Sequence, residues 1–125
     1  MDDVLTGVDR VLKALADPTR LRIVGLLQGG DVCVCHIHES LKISQPKASR
    51  HLAYLRRAGV VHAEKRGLWV HYSLTKSEHA AVRALLDAAK RCASHVPTVR
   101  KDVSRLAART ACCTDAPVRG RGRAR

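Results

Sequence analysis

Residues 44–61 read SQPKASRHLAYLRRAGVV. Ser44 offers a side-chain oxygen to the free N–H groups of a helix start, and Pro46 is tolerated in the first turn, where its missing N–H has no intrahelical partner. At about 100° per residue, Ala48, Leu52 and Leu55 fall on one side of the helix. Lys47, Ser49, Arg50, Ala53, Tyr54 and Arg57 fall on the other, and Gly59 ends it. Ser49 and Ala53 are small enough for the helix to approach a groove closely. The basic and hydroxyl groups beside them suit phosphates and base edges. A basic face alone is ordinarily a solvated surface, so the neighbouring segments decide the reading.

Downstream, residues 60–74 read VVHAEKRGLWVHYSL. β-Branched residues on both sides of Arg66-Gly67 predict a hairpin with Lys65 and Arg66 at its tip. Upstream, a short helix is expected from about Cys33–His36 to Lys42. Asp17-Pro18 starts an earlier one that turns Leu21, Val24 and Leu27 inward and stops at Gly29-Gly30. Before that, Val4, Leu5, Val8, Val11, Leu12 and Leu15 form a helical stripe. After the hairpin, Thr75-Lys76-Ser77-Glu78 matches a capping box ahead of Val82, Leu85, Leu86 and Ala89. A last helix is expected from Pro97 to about Thr110. Helix, short helix, capped basic helix and hairpin make a mainly α fold with a β-hairpin, a winged helix-turn-helix.

Composition agrees with this order. The chain has 125 residues, enough for one domain of ordinary size. Its 23 Lys+Arg against 11 Asp+Glu give a net charge of +12, which points to a polyanionic partner. Lys42 to Arg66 holds seven basic residues and one acid, or +6, so half the charge sits on the predicted DNA-binding unit. Trp69, Tyr54 and Tyr72 are the only aromatics, so the core must be aliphatic, which favours interlocking helices over a β-sandwich. No apolar run approaches the ~20 residues of a membrane span, and the acidic MDDVLTGVDR start does not resemble a secretory signal. A cytoplasmic location without membrane contact is expected, where thiols stay reduced. The five cysteines at 33, 35, 92, 112 and 113 then read as ligands or redox centres before they read as bridges. No Gly-rich phosphate loop or carboxylate dyad accompanies them, so no enzyme is expected.

DPTRLRIVGLL, CVCHI, SQPKASRHLAYLRRAGVV and RGLWVHYSL together resemble the ArsR/SmtB metalloregulatory repressors, and within them the arsenic-responsive branch. The resemblance covers about residues 8 to 92. It implies a homodimer joined through the first and fifth helices, bound to two-fold double-stranded operator DNA and released by a metal or metalloid. It also places DNA-reading roles on Gln45, Ser49, Arg50, His51 and Tyr54. The expected organisation is a DNA-binding and dimerisation domain over 1–96, a C-terminal helix with vicinal cysteines over 97–113, and a disordered Arg/Gly-rich tail over 114–125. That tail carries four arginines against Asp115, suited to salt-sensitive, sequence-blind affinity for DNA.

Cys33-Val34-Cys35 stands at the start of the short third helix, where the helix N-terminus lowers thiol pKa and favours the thiolate that soft ions bind. Residues two apart do not share a helix face, so a shared ion requires the helix to unwind or to start late. In the arsenic-responsive branch a third cysteine follows the first by five residues, where this chain has His38. Three thiolates suit As(III) or Sb(III), and imidazole does not. One resolution draws the third thiolate from Cys112 or Cys113. The alternative is Cys33, Cys35 and His38, with His36 as a further candidate, a set suited to Zn(II) or Cd(II). A thiol-redox repressor using the same cysteines is a third reading. Cys92 is expected to pack within the fifth helix, and His79, Asp87 and His95 to face solvent. No cofactor is needed for folding in any of these readings.

Overall fold

The computed structural model describes residues 3–109. α1 (Asp3–Leu15) buries Val11 and Ala14, and α2 (Pro18–Leu26) buries Ile23, Val24, Gly25 and Leu26. Asp17 caps α2 from an extended backbone, its Oδ2 accepting the Arg20 N–H at 3.0 Å. A 3-10 turn over Leu27–Gly29 and Gly30 at φ 134° then turn the chain into β1 (Val32–Cys33). α3 (Val34–Leu41) and α4 (Gln45–Arg57) follow, separated by a turn in which Lys42 takes a left-handed conformation. β2 (Val61–Arg66) and β3 (Trp69–Leu74) form the hairpin, ahead of α5 (Ala80–Ser94) and α6 (Pro97–Ala107). The mainly α winged helix-turn-helix is therefore present, with a core of aliphatic side chains such as Ile23, Ile37, Leu52, Leu55 and Val60, all at 0% exposure.

Three expectations need correction. The sheet has three strands in the order β1-β3-β2, and β1 pairs Val32 with Tyr72 and Cys33 with His71. A two-residue strand shows no alternation, so its partner decides it. The Thr75–Glu78 capping box does not open α5. Ser77 Oγ accepts the His79 N–H, Arg83 binds the Ser77 carbonyl at 3.0 Å, and the helix begins at Ala80. α6 ends at Ala107, short of the expected Thr110, which lies outside the described residues with Cys112, Cys113 and the Arg/Gly tail.

α6 lies across α2 and α3 rather than apart from them. Gly25 permits the close approach: a Cβ there would collide with Val99 Cγ1 and stand 3.2 Å from Ala93 Cβ. Asp102 of α6 is fully buried. Arg22 grips it with two bonds of 2.9 Å, and Arg105 adds a third at 2.7 Å. The same guanidiniums donate to the last carbonyls of α3, Arg22 to Leu41 at 2.9 Å and Arg105 to Ser40 at 2.6 Å. Two cations at a helix C-terminus also complement its dipole. The hydrogen bonds to Asp102 hold the Arg22 guanidinium pKa above its ordinary value. The C-terminal end of α3, from which α4 departs, is thus pinned to α6.

Candidate nucleic-acid interface and thiol site

α4 is shaped as its sequence pattern requires. Ser44 caps it, its Oγ accepting the Lys47 N–H at 3.3 Å, and Ala48, Leu52 and Leu55 are at 0% exposure. Lys47, Arg50, Tyr54 and Arg57 are exposed, while Ser49 and Ala53 are half-buried between them. Gln45 Nε2 donates to Ser49 Oγ at 2.8 Å, so these two positions present one joined polar group. Tyr54 is oriented from below by Arg20, whose guanidinium lies 4.0 Å from the ring centroid, with Arg57 at 5.9 Å. Arg20 is itself fixed by the Ala14 carbonyl at 2.6 Å. No local pattern in the sequence announces its role in setting Tyr54, because the contact joins α2 to α4.

His51 faces inward. Its Nδ1 lies 3.4 Å from Arg20 Nη1 and 3.8 Å from Asp17 Oδ2, and its side chain is only 19% exposed. Burial pushes its pKa below the ordinary 6.5; Asp17 opposes this, and Arg20, Lys47 and Arg50 reinforce it. Neutral imidazole can accept the Arg20 proton. Asp17 is held below the usual carboxylate value: burial pushes it up, but the Arg20 N–H bond and the Arg20 and His51 charges outweigh that. His51 therefore ties α4 to the cap of α2.

The hairpin tip presents Lys65 and Arg66 to solvent, with Leu68 84% exposed beside them. Arg66 is already engaged. Its Nη1 lies 2.6 Å from Asp31 Oδ2, and its Nη2 lies 3.3 Å from Glu64 Oε1.

Cys33 and Cys35 straddle a strand–helix junction. Cys33 is extended (φ −67°, ψ 145°) on β1 and serves as the N-cap of α3, so the helix starts late and need not unwind. Their Sγ atoms are 3.4 Å apart, close enough that both could hold one soft ion with Cys35 reduced. Cys33 is buried, whereas Cys35 is disulfide-bonded. His38 Nδ1 lies 3.2 Å from the Ile43 carbonyl, bracing the turn into α4. Among the described residues no group of three or more His, Cys, Asp or Glu side chains is gathered for an ion. Cys92 is free and exposed on the single chain, contrary to the packed position expected. His79 and His95 are exposed, and Asp87 is half-buried beside Lys90 at 3.4 Å. Among the described residues no helix is long and apolar enough to cross a membrane.

Comparison with known proteins bears on this geometry. Residues 17–63 match the family described as bacterial regulatory protein, arsR family. The arsenical resistance operon repressor of Escherichia coli (strain K12) is 48% identical over 84 residues, which span 66% of this chain and 72% of that protein. Among solved structures, HlyU from Vibrio cholerae N16961 is similar with a TM-score of 0.63 at 33% identity, covering 74% of this chain and 97% of that one. The homodimeric winged helix-turn-helix DNA-binding domain Mb0332 from Mycobacterium bovis is similar with a TM-score of 0.60 at 31% identity, covering 76% and 94%. With its capped basic helix, its three-stranded wing and these likenesses, the chain belongs to the arsR family of bacterial regulatory proteins and is a winged helix-turn-helix transcriptional regulator.

Proposed function

We propose that this chain is a metalloid-responsive repressor that binds operator DNA as a homodimer and is released when As(III) or Sb(III) is captured by Cys33, Cys35 and a third thiolate from Cys112 or Cys113. The observation that carries the reading is the 3.4 Å approach of Cys33 and Cys35 at one end of α3, the helix whose other end leads into α4. α6 supports the third ligand by its direction. Asp102, Arg105 and Arg109 meet Arg22 beside Leu41, then Ser40, then Glu39, the last through an ion pair of 3.1 Å. α6 thus runs antiparallel to α3, toward its cysteine end. Cys112 follows Arg109 by three residues, a reach of about 10 Å, and Glu39 is one turn, about 6 Å, from Cys35. Exposed Val4, Leu5 and Leu12 on α1 supply apolar surface for a second copy. DNA contact falls to Gln45, Lys47, Ser49, Arg50, Tyr54 and Arg57, with Lys65 and Arg66 on the wing and His51 positioning α4. A DNA partner places the protein in the cytoplasm, where Cys35 is kept reduced for the ion.

An operator selected from a pool of randomised duplexes, followed by fluorescence anisotropy, tests the reading. The reduced protein is released by As(III) and Sb(III), and Cys33→Ser abolishes the response. Release by Zn(II) or Cd(II) but not As(III) would replace it with a site of Cys33, Cys35 and His38. The disulfide at Cys35 favours a second reading, a thiol-redox repressor. There, two thiols join as a disulfide while their protons and electrons reduce a peroxide to water. Release by peroxide in the absence of As(III) identifies that case.

A further inference from the structure

The wing arginine and the thiol site meet on one element. Asp31 immediately precedes Val32-Cys33, the two residues that make β1 the third strand of the wing sheet. Cys33 pairs across the sheet with His71, which pairs on its other side with Glu64, so one row of the sheet joins the thiol to the wing. From the two ends of this arrangement, Asp31 and Glu64 both hold Arg66, at 2.6 and 3.3 Å.

We propose that Asp31 is a positioning residue that competes with DNA phosphate for Arg66, and that it makes the wing's grip on DNA depend on the occupancy of Cys33 and Cys35. The coupling half of this inference rests on the metalloid-responsive reading above. The competition half does not.

Exposure makes the exchange feasible. The Arg66 and Asp31 side chains are 46% and 36% exposed, so the pair sits in high dielectric and is screened by salt. A phosphate can take the guanidinium from such a partner with two parallel bonds. Until then the arginine is neutralised by carboxylates, and Lys65 is the tip cation without an ion pair among the described residues. With Cys35 reduced, Cys33 on the strand and Cys35 on the helix could together hold an ion, which would tie strand to helix two residues from Asp31. That tie would hold Asp31 against Arg66 and deny the arginine to the DNA backbone. With the site empty β1 would be free to yield, and Arg66 would divide between Asp31 and phosphate.

Asp31→Asn, Arg66→Ala and the double variant, measured on the selected operator and on an unrelated duplex over a series of salt concentrations, test this. Asp31→Asn should bind both duplexes roughly two- to fivefold tighter, the factor of one exposed ion pair. Its plot of log affinity against log salt should steepen, by at most about 0.9, one full phosphate contact. The gain should vanish in the Arg66→Ala background. Unchanged affinity and slope, or a gain that survives without Arg66, would overturn the competition. With As(III) saturating, the ratio of free to inducer-bound affinity should narrow in Asp31→Asn by the same two- to fivefold; an unchanged ratio would overturn the coupling. Failure of As(III) to release the wild type at all removes the metalloid reading and the coupling with it, while the slope measured without inducer still decides the competition.

Discussion

Two arginine–aspartate contacts bracket α3, and burial separates them. At its C-terminal end Asp102 is at 0% exposure under Arg22 and Arg105, and the guanidiniums also satisfy the carbonyls of Ser40 and Leu41. At its N-terminal end Asp31 meets Arg66 at 2.6 Å with both side chains more than a third exposed. The chemistry is the same, but its consequences differ. A buried carboxylate cannot release its partners without leaving an uncompensated charge in the core, so α6 is a fixed part of the fold. An exposed carboxylate returns to water at small cost, so its arginine can change partners. The end of α3 that carries α4 is held by a buried ion pair, and the ion pair at the other end, beside the wing, is exposed and exchangeable.

Replacing the buried acid should have the largest effect. Asp102→Ala should lower unfolding free energy by about 3–5 kcal/mol in chemical denaturation, because Arg22 and Arg105 lose their counter-charge. A loss below about 1 kcal/mol, the range of exposed pairs, would erase the distinction between the two ends. Gly25→Ala sharpens the same end sterically. The added methyl meets Val99 and Ala93 and should cost about 1–3 kcal/mol by overpacking, and Val99→Ala should relieve it. A neutral or stabilising Gly25→Ala would mean that α6 is seated by its ion pairs alone.

A smaller effect belongs to His51, intermediate in burial between the two pairs. Its folded pKa lies below 6.5 because of burial, so on acidification the unfolded chain takes the proton first. Its contribution to stability is therefore complete above 6.5 and is lost as pH falls through the lower folded value. Denaturation midpoints measured across that window should fall with pH, and His51→Gln should flatten the profile. An unchanged profile would detach His51 from the Asp17–Arg20 contact. The smallest effect is at the exposed end, where Asp31→Asn should change stability by no more than about 0.5 kcal/mol while altering DNA binding. A larger loss would make Asp31 architectural, like Asp102.

What was legible beforehand divides along the same line. α4 could be read residue by residue, since its cap, proline, buried face and basic face lie within one local period and the fold leaves that period intact. The wing hairpin was legible for the same reason. β1 was not, because two residues carry no alternation and its existence depends on β3. The Thr75–Glu78 motif misled because Ser77 spends its oxygen on His79 and its carbonyl on Arg83. The clamp on Asp102 joins residues 80 apart in the chain, and the Asp31–Arg66 pair is likewise nonlocal, so neither has a local signature. The cysteine pair was visible as a motif. Its geometry was not, because whether the helix starts before or after Cys33 depends on the sheet.

The ligand shell of the bound metalloid is the most direct measurement. X-ray absorption at the arsenic edge, on reduced protein loaded with As(III), should show three sulfur neighbours. The shell should fall to two in a Cys112→Ser, Cys113→Ser variant and collapse in Cys33→Ser. A nitrogen neighbour in the wild type, or a three-sulfur shell that survives loss of both C-terminal cysteines, would contradict the proposed site.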